Sequence, residues 1–256
     1  MWQRYVAIGD STSEGLDDPD GRGGYRGWAD RFAEHVASAY PGLEYANLAI
    51  RGRQTAQIQQ EQLPRALELR PDLCTVVAGV NDILRRRFDA DDVAGRIGTM
   101  QSALIATGAT VLTFTMPDPS RVMPLAKALR GRFTAYNEAL RQVTARTGAV
   151  LLDLGAHPVA GDPRLWSIDR LHANSAGHER IGQGLAWAAG LPGFDDSWTE
   201  PLPAEPAVTR WARATAEAAW VRGYLLPWIV RHMRGQSSGD GITAKRPKPL
   251  PVEPSA

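Results

Sequence analysis

Four short polar stretches of the chain hold the side chains that could do chemistry. Gly9-Asp10-Ser11 follows the apolar run Tyr5–Ile8, so a hydroxyl is delivered to the rim of a buried strand. Such a serine is either a helix cap or a nucleophile. Gly52, between Arg51 and Arg53, either lies where a backbone N–H can approach a ligand closely or belongs to an ordinary strand-to-helix turn. Gly79-Val80-Asn81-Asp82 supplies a neutral amide donor, suited to a developing oxyanion, or alternatively a helix cap. Asp169-Arg170-Leu171-His172 sets a carboxylate and an imidazole three residues apart. Across a single turn, that carboxylate can hold the tautomer whose Nε2 accepts a proton. His178 opens a second reading, a metal site built from Asp169, His172 and His178.

These stretches need a scaffold that brings four distant segments together. Strand-forming apolar runs occur at Tyr5–Gly9, Glu44–Ala49, Leu73–Ala78, Thr110–Thr115 and Val150–Asp153. Between and after them, helical patterns cover Gly27–Ala39, Thr55–Leu69, Asp91–Ala106, Leu125–Thr147 and Ser175–Ala189, with Pro64 expected to bend or interrupt the second. Strand–helix alternation predicts parallel strands with crossover helices on both faces, an α/β protein built as a three-layer α/β/α sandwich. Near-continuous apolar strands agree with burial on both faces. Sites in such sheets form beyond the carboxyl ends of the strands, and each of the four polar stretches falls at such an end or in the loop beyond it.

Taken together, Ser11, Gly52, Asn81, Asp169 and His172 resemble the blocks of the SGNH hydrolases, also called the GDSL esterase/lipase family. The resemblance covers about residues 4 to 190; Thr12 stands where the family's namesake leucine is often found. It implies Ser11 as nucleophile, His172 as general base and Asp169 as its orienting partner. It also implies an oxyanion hole from the N–H groups of Ser11 and Gly52 and the Asn81 amide. The implied fold is a flavodoxin-like parallel five-stranded sheet of order 2-1-3-4-5. The implied activity is cleavage of small-molecule carboxylic esters through an acyl-serine, with no cofactor or metal. Transfer to an acceptor other than water shares that intermediate and stays open, as does a silent binding module on the same fold.

Around this site, Trp166 is expected to wall the acyl pocket or to pack its loop. Arg51 and Arg53, with Arg85–Arg87, could favour an acidic or phosphorylated substrate; the favoured reading is that most are solvated or pair with Asp17, Asp18 and Asp20. A formal net charge of +1 gives no field for a nucleic-acid backbone, so none is expected as a partner. The lone Cys74 sits in an apolar run and reads as a small core side chain. The first core strand starts too early for a secretory signal and no apolar run nears ~20 residues, so a cytoplasmic location is expected.

The expected organisation is a hydrolase domain over 1–191, a surface linker over 192–206, an amphipathic helix over 207–234 and a disordered tail over 235–256. The helix carries a stripe of Trp211, Ala214, Ala218, Val221, Leu225, Trp228 and Ile229 with accompanying arginines. Packing of that stripe on the hydrolase body or on a second subunit is the favoured reading, and contact with a membrane surface is the weaker one.

Overall fold

The computed structural model describes residues 1–204, 210–225 and 239–253. The calls on Pro227, Trp228, Ile229, Arg231 and Arg234 lie outside the described residues. The chain runs β1 (Arg4–Gly9), α1 (Ser11–Glu14), α2 (Gly27–Ala39), β2 (Glu44–Asn47), α3 (Thr55–Gln57), a π-helical turn (Ile58–Gln62) and α4 (Leu63–Glu68). It continues β3 (Leu73–Val77), α5 (Val80–Ile83), α6 (Ala90–Ile105), β4 (Thr110–Phe114), α7 (Arg130–Thr147), β5 (Val150–Leu152) and α8 (Ser175–Ala188). It ends with α9 (Arg210–Trp220) and β6 (Arg246–Pro251).

Strands β1 to β5 are parallel and lie in the order 2-1-3-4-5. Tyr5, Val6, Ala7 and Ile8 are fully buried, as are Leu73, Cys74 and Val76 beside them, because helices cover both faces of the sheet. The ends of β1 and β3 are thereby side by side, with Gly9 paired to Val77. That pairing sets the loops carrying Ser11 and Asn81 next to each other.

Several local boundaries differ from the sequence pattern for identifiable reasons. Strand β2 stops at Asn47, whose amide turns to Ser13 O and the Tyr45 hydroxyl while its Oδ1 accepts Ala49 N–H. The helix expected over Thr55–Leu69 widens into a π-turn directly before Pro64, which has no N–H to give. Pro124 opens a 3₁₀ segment, so regular helix begins only at Arg130.

Four expectations are revised by the C-terminal quarter. The sheet has six strands, because β6 adds antiparallel to the edge strand β2. The tail was expected to be disordered, yet Lys245 reaches Asp30 at 2.8 Å and donates to the carbonyls of Tyr25 and Arg26. Arg246 donates to Tyr45 O at 2.7 Å and lies over the Tyr45 ring. Its prolines leave the new sheet edge with few donors to pair further. The segment read as a surface linker buries Trp198, which is 1% exposed and meets the rings of His157 and Trp187. In α9 the expected stripe packs only in part among the described residues: Trp211 is 82% exposed and Ala218 is exposed, Val221 packs beside Met123 and Ala126, and Trp220, outside the stripe, is 6% exposed. Among the described residues no helix is long and apolar enough to cross a membrane.

Candidate active site

Ser11 is the first residue of the single-turn helix α1, directly after β1. Asp10 caps that turn by accepting Thr12 N–H at 3.0 Å. Gln62, which the sequence reading did not single out, grips both backbone groups of Gly9, at 2.8 Å to its N–H and 2.9 Å to its carbonyl. The strand end that delivers Ser11 is thus held by a side chain from the π-turn. Only a helix period placing Gln62 toward the core hinted at it.

The loop after α7 and β5 supplies the partner groups. Arg170 adopts a left-handed conformation (φ 59°), which lets the chain fold back within one turn between Asp169 and His172. Asp169 Oδ1 accepts the N–H groups of Leu171 and His172 at 2.8 and 3.0 Å. Its Oδ2 lies 2.7 Å from His172 Nδ1, and His172 Nε2 lies 2.8 Å from Ser11 Oγ. Ser167 closes the loop by taking part in a backbone pair with His172 O and by donating to Asp17. Asn174 caps α8 and holds the carbonyls of Arg164 and Trp166, fixing the other end.

The electrostatics of the site follow from this packing. Burial disfavours a charged His172, but the hydrogen bond and charge of Asp169, with Asp17 and Asp10 behind, outweigh it and raise the His172 pKa above the ordinary value. Burial pushes the Asp169 carboxyl up, yet the His172 bond and the two backbone N–H groups more than offset this and hold it low. Asp10 lacks such a partner. Burial raises it to about 6, with the Thr12 N–H opposing.

The other sequence-predicted groups gather at the same rim. Gly79 has φ 109°, and a Cβ there would meet the Tyr136 ring at 2.6 Å, so only glycine fits ahead of Asn81. Asn81 Nδ2 donates to Asp10 Oδ2 at 3.1 Å and to Arg53 O at 3.0 Å. Gly52 sits in the turn after β2 with φ 76°, and Ile50 N–H, just before it, bonds Gly9 O at 3.2 Å. Asp82 ties the same loops by accepting Thr55 N–H and hydroxyl at 2.9 and 2.8 Å.

Of the two readings of Arg51 and Arg53, the structure brings together the paired one, with partners other than those expected. Arg51 forks onto the buried carboxylate of Glu14, which also takes its N–H at 2.8 Å, and Arg53 Nε lies 3.0 Å from Glu61. Nor do the acids after Ser11 serve as their partners: Asp18 pairs with Arg31, and Asp20 accepts Arg22 and Gly24 N–H. His178 is structural as well. Its Nδ1 accepts Trp28 N–H at 3.1 Å and its Nε2 donates to Leu16 O at 3.0 Å, so both nitrogens are used away from Asp169 and His172. The metal constellation with His178 is therefore not assembled. Cys74 is buried and its thiol is pushed up by burial, consistent with a core side chain.

Beside His172 lies an apolar cavity of about 370 Å³. Thr12, Val80, Met116, Phe133 and Leu165 contribute to its wall. Trp166 lines it too and donates its indole N–H to Ala160 O at 2.9 Å, so it both walls the cavity and packs its own loop.

The model of the GDSL-like lipase/acylhydrolase family matches residues 7–180, which span all of Ser11, Gly52, Asn81, Asp169 and His172. The chain belongs to that family. As a GDSL-like acylhydrolase it is a carboxylic ester hydrolase by class. No curated protein sequence matches it. Among solved structures, the GDSL-like chain is similar to a catalytic mutant of Axe2, an acetylxylan esterase from Geobacillus stearothermophilus. The identity is 16%, with 77% of this chain and 96% of that one covered and a TM-score of 0.62. TesA matches at 23% identity over 74% of this chain and 99% of its own, TM-score 0.61. LAE5, an alpha/beta hydrolase enzyme from the metagenome of Lake Arreo, Spain, matches at 21% identity over 73% and 95%, TM-score 0.58. At these identities the likeness is one of fold.

Proposed function

We propose that this GDSL-like acylhydrolase is a serine esterase that cleaves carboxylic esters through an acyl intermediate on Ser11. The observation that carries this reading is the unbroken chain Ser11 Oγ–His172 Nε2–His172 Nδ1–Asp169 Oδ2, at 2.8 and 2.7 Å. In the first half-reaction His172 takes the Ser11 proton as Oγ attacks the ester carbonyl. The tetrahedral oxyanion is met by the N–H groups of Ser11 and Gly52 and by one Asn81 amide proton, turned from its resting acceptor. His172 then protonates the leaving alkoxide. In the second half-reaction it activates a water that releases the acid. Asp169 fixes the tautomer and stabilises the imidazolium throughout.

A small-molecule ester is the partner this mechanism requires. The similar Axe2, an acetylxylan esterase, supports ester cleavage as the chemistry. The reading is tested with a fluorophosphonate probe and p-nitrophenyl esters. The intact chain should be labelled covalently on Ser11 and turn over the esters, and Ser11→Ala should do neither. Turnover that survives Ser11→Ala would rule the serine mechanism out.

A further inference from the structure

Helix α9 lies beyond the family-matched residues, yet it reaches the cavity beside His172. Its last residue, Trp220, lines that cavity with Tyr224 just after it. Trp220 packs on Met123 and Ala126, from the segment after β4, and on Leu171, from the turn between Asp169 and His172. It therefore bridges the two walls of the cavity. Its indole N–H donates to Ile168 O at 2.9 Å. Arg170 lies 4.4 Å from its ring centre and pairs with Glu217 at 2.7 Å, one turn earlier on α9. Trp211, at the other end of the helix, is left in solvent, so α9 is fastened where it meets the catalytic loop.

We propose that Trp220 is a specificity-determining residue: it roofs an acyl pocket, and the substrates are esters of long, unbranched apolar acids rather than acetyl esters. This rests on the esterase reading above. A cavity of about 150 Å³ holds a benzene ring of six carbons, so about 370 Å³ takes a chain on the order of a dozen. An acetyl group would leave most of that apolar wall uncovered. Each methylene buried against it is worth up to about fourfold in binding. Arg170 is the fastening, since it touches both Trp220 and Glu217 from between Asp169 and His172.

The experiment compares kcat/KM for p-nitrophenyl decanoate and p-nitrophenyl acetate in the full chain and in Trp220→Ala, Trp220→Phe and Glu217→Lys. The intact chain should favour decanoate at least tenfold. The decanoate-to-acetate ratio should fall about tenfold in Trp220→Ala, fall in the same sense in Glu217→Lys, and be largely kept by Trp220→Phe. The surface change Glu217→Lys guards against a folding failure at Trp220. Calorimetric titration with decanoic acid reads the same pocket without turnover: it should bind the intact chain and bind Trp220→Ala at least threefold more weakly. No preference for decanoate, or a ratio that falls less than threefold in both Trp220→Ala and Glu217→Lys, overturns the proposal while ester turnover leaves the esterase reading standing. Absence of all ester turnover overturns that reading instead, and the titration then decides the pocket.

Discussion

Asn81 donates one amide proton to the buried carboxylate of Asp10 at 3.1 Å, joining the loop after β3 to the residue that caps the helix of Ser11. Its other proton goes to Arg53 O, beside Gly52. The amide thus rests on acceptors that border the place where an oxyanion would form. If one proton turns to that oxygen only in the transition state, Asn81→Ala should lower kcat by about 10²–10³ with little change in KM. Steady-state kinetics on a p-nitrophenyl ester, with folding checked by circular dichroism, reads this. A loss of less than about threefold would remove Asn81 from the oxyanion hole.

The pH profile should report the His172–Asp169 pair. In the proposed mechanism the base form of His172 is the active one, and its pKa is raised by Asp169 against the effect of burial. The acid limb of kcat/KM should therefore have its midpoint above about 6.5 and fall tenfold per pH unit below it. Asp169→Asn removes the charge that raises the imidazole. The limb should move to lower pH while kcat drops by about 10³–10⁴. An acid limb that does not move in the variant would mean that another group titrates.

His178 predicts a stability effect with the same pH direction but a different origin. Burial lowers its pKa from 6.5 to about 4, outweighing the hydrogen bond to Leu16 O and the charge of Asp18, which both raise it. A depressed folded pKa gives stability that is complete above about 6.5 and lost as pH falls toward 4. The total is about 3 kcal/mol. Urea midpoints at pH 7.5 and 5 for the intact chain and His178→Gln should show the variant less stable at pH 7.5, with the gap closing by about 2 kcal/mol at pH 5. His172 and Asp10, whose folded pKa values are raised, push the other way in both proteins and cancel in the difference.

Arg51 should behave as a structural residue. Its guanidinium neutralises Glu14, whose side chain is only 5% exposed. Arg51→Ala strands that carboxylate and should cost about 3 kcal/mol in urea unfolding. The preference between a neutral ester and a succinyl ester of matched length should stay within twofold. A specific loss on the anionic ester would restore Arg51 to substrate binding.

How much of this was legible beforehand differs by feature. The sequence of apolar runs and helical periods determined the five parallel strands and their covering helices. A strand buried on both faces has to be apolar throughout, and its end has to show where polar residues begin. For the same reason Ser11, Asn81, Asp169 and His172 were readable as one candidate site: each begins a polar stretch at a strand end or in the loop beyond it. Tertiary structure alone decided which charges pair. Arg51 meets Glu14 and Arg53 meets Glu61 because the loops after β1 and β2 lie side by side, a relation that no local pattern carries. It also decided the fate of the C-terminal quarter. The residues of β6 are proline-rich and polar, which reads locally as unstructured, and they become a strand only because β2 offers an open edge. In α9 the helical period marked an apolar stripe, of which Val221 packs, but the deep burial of Trp220 beside it was decided by the groove next to His172 that its ring fills.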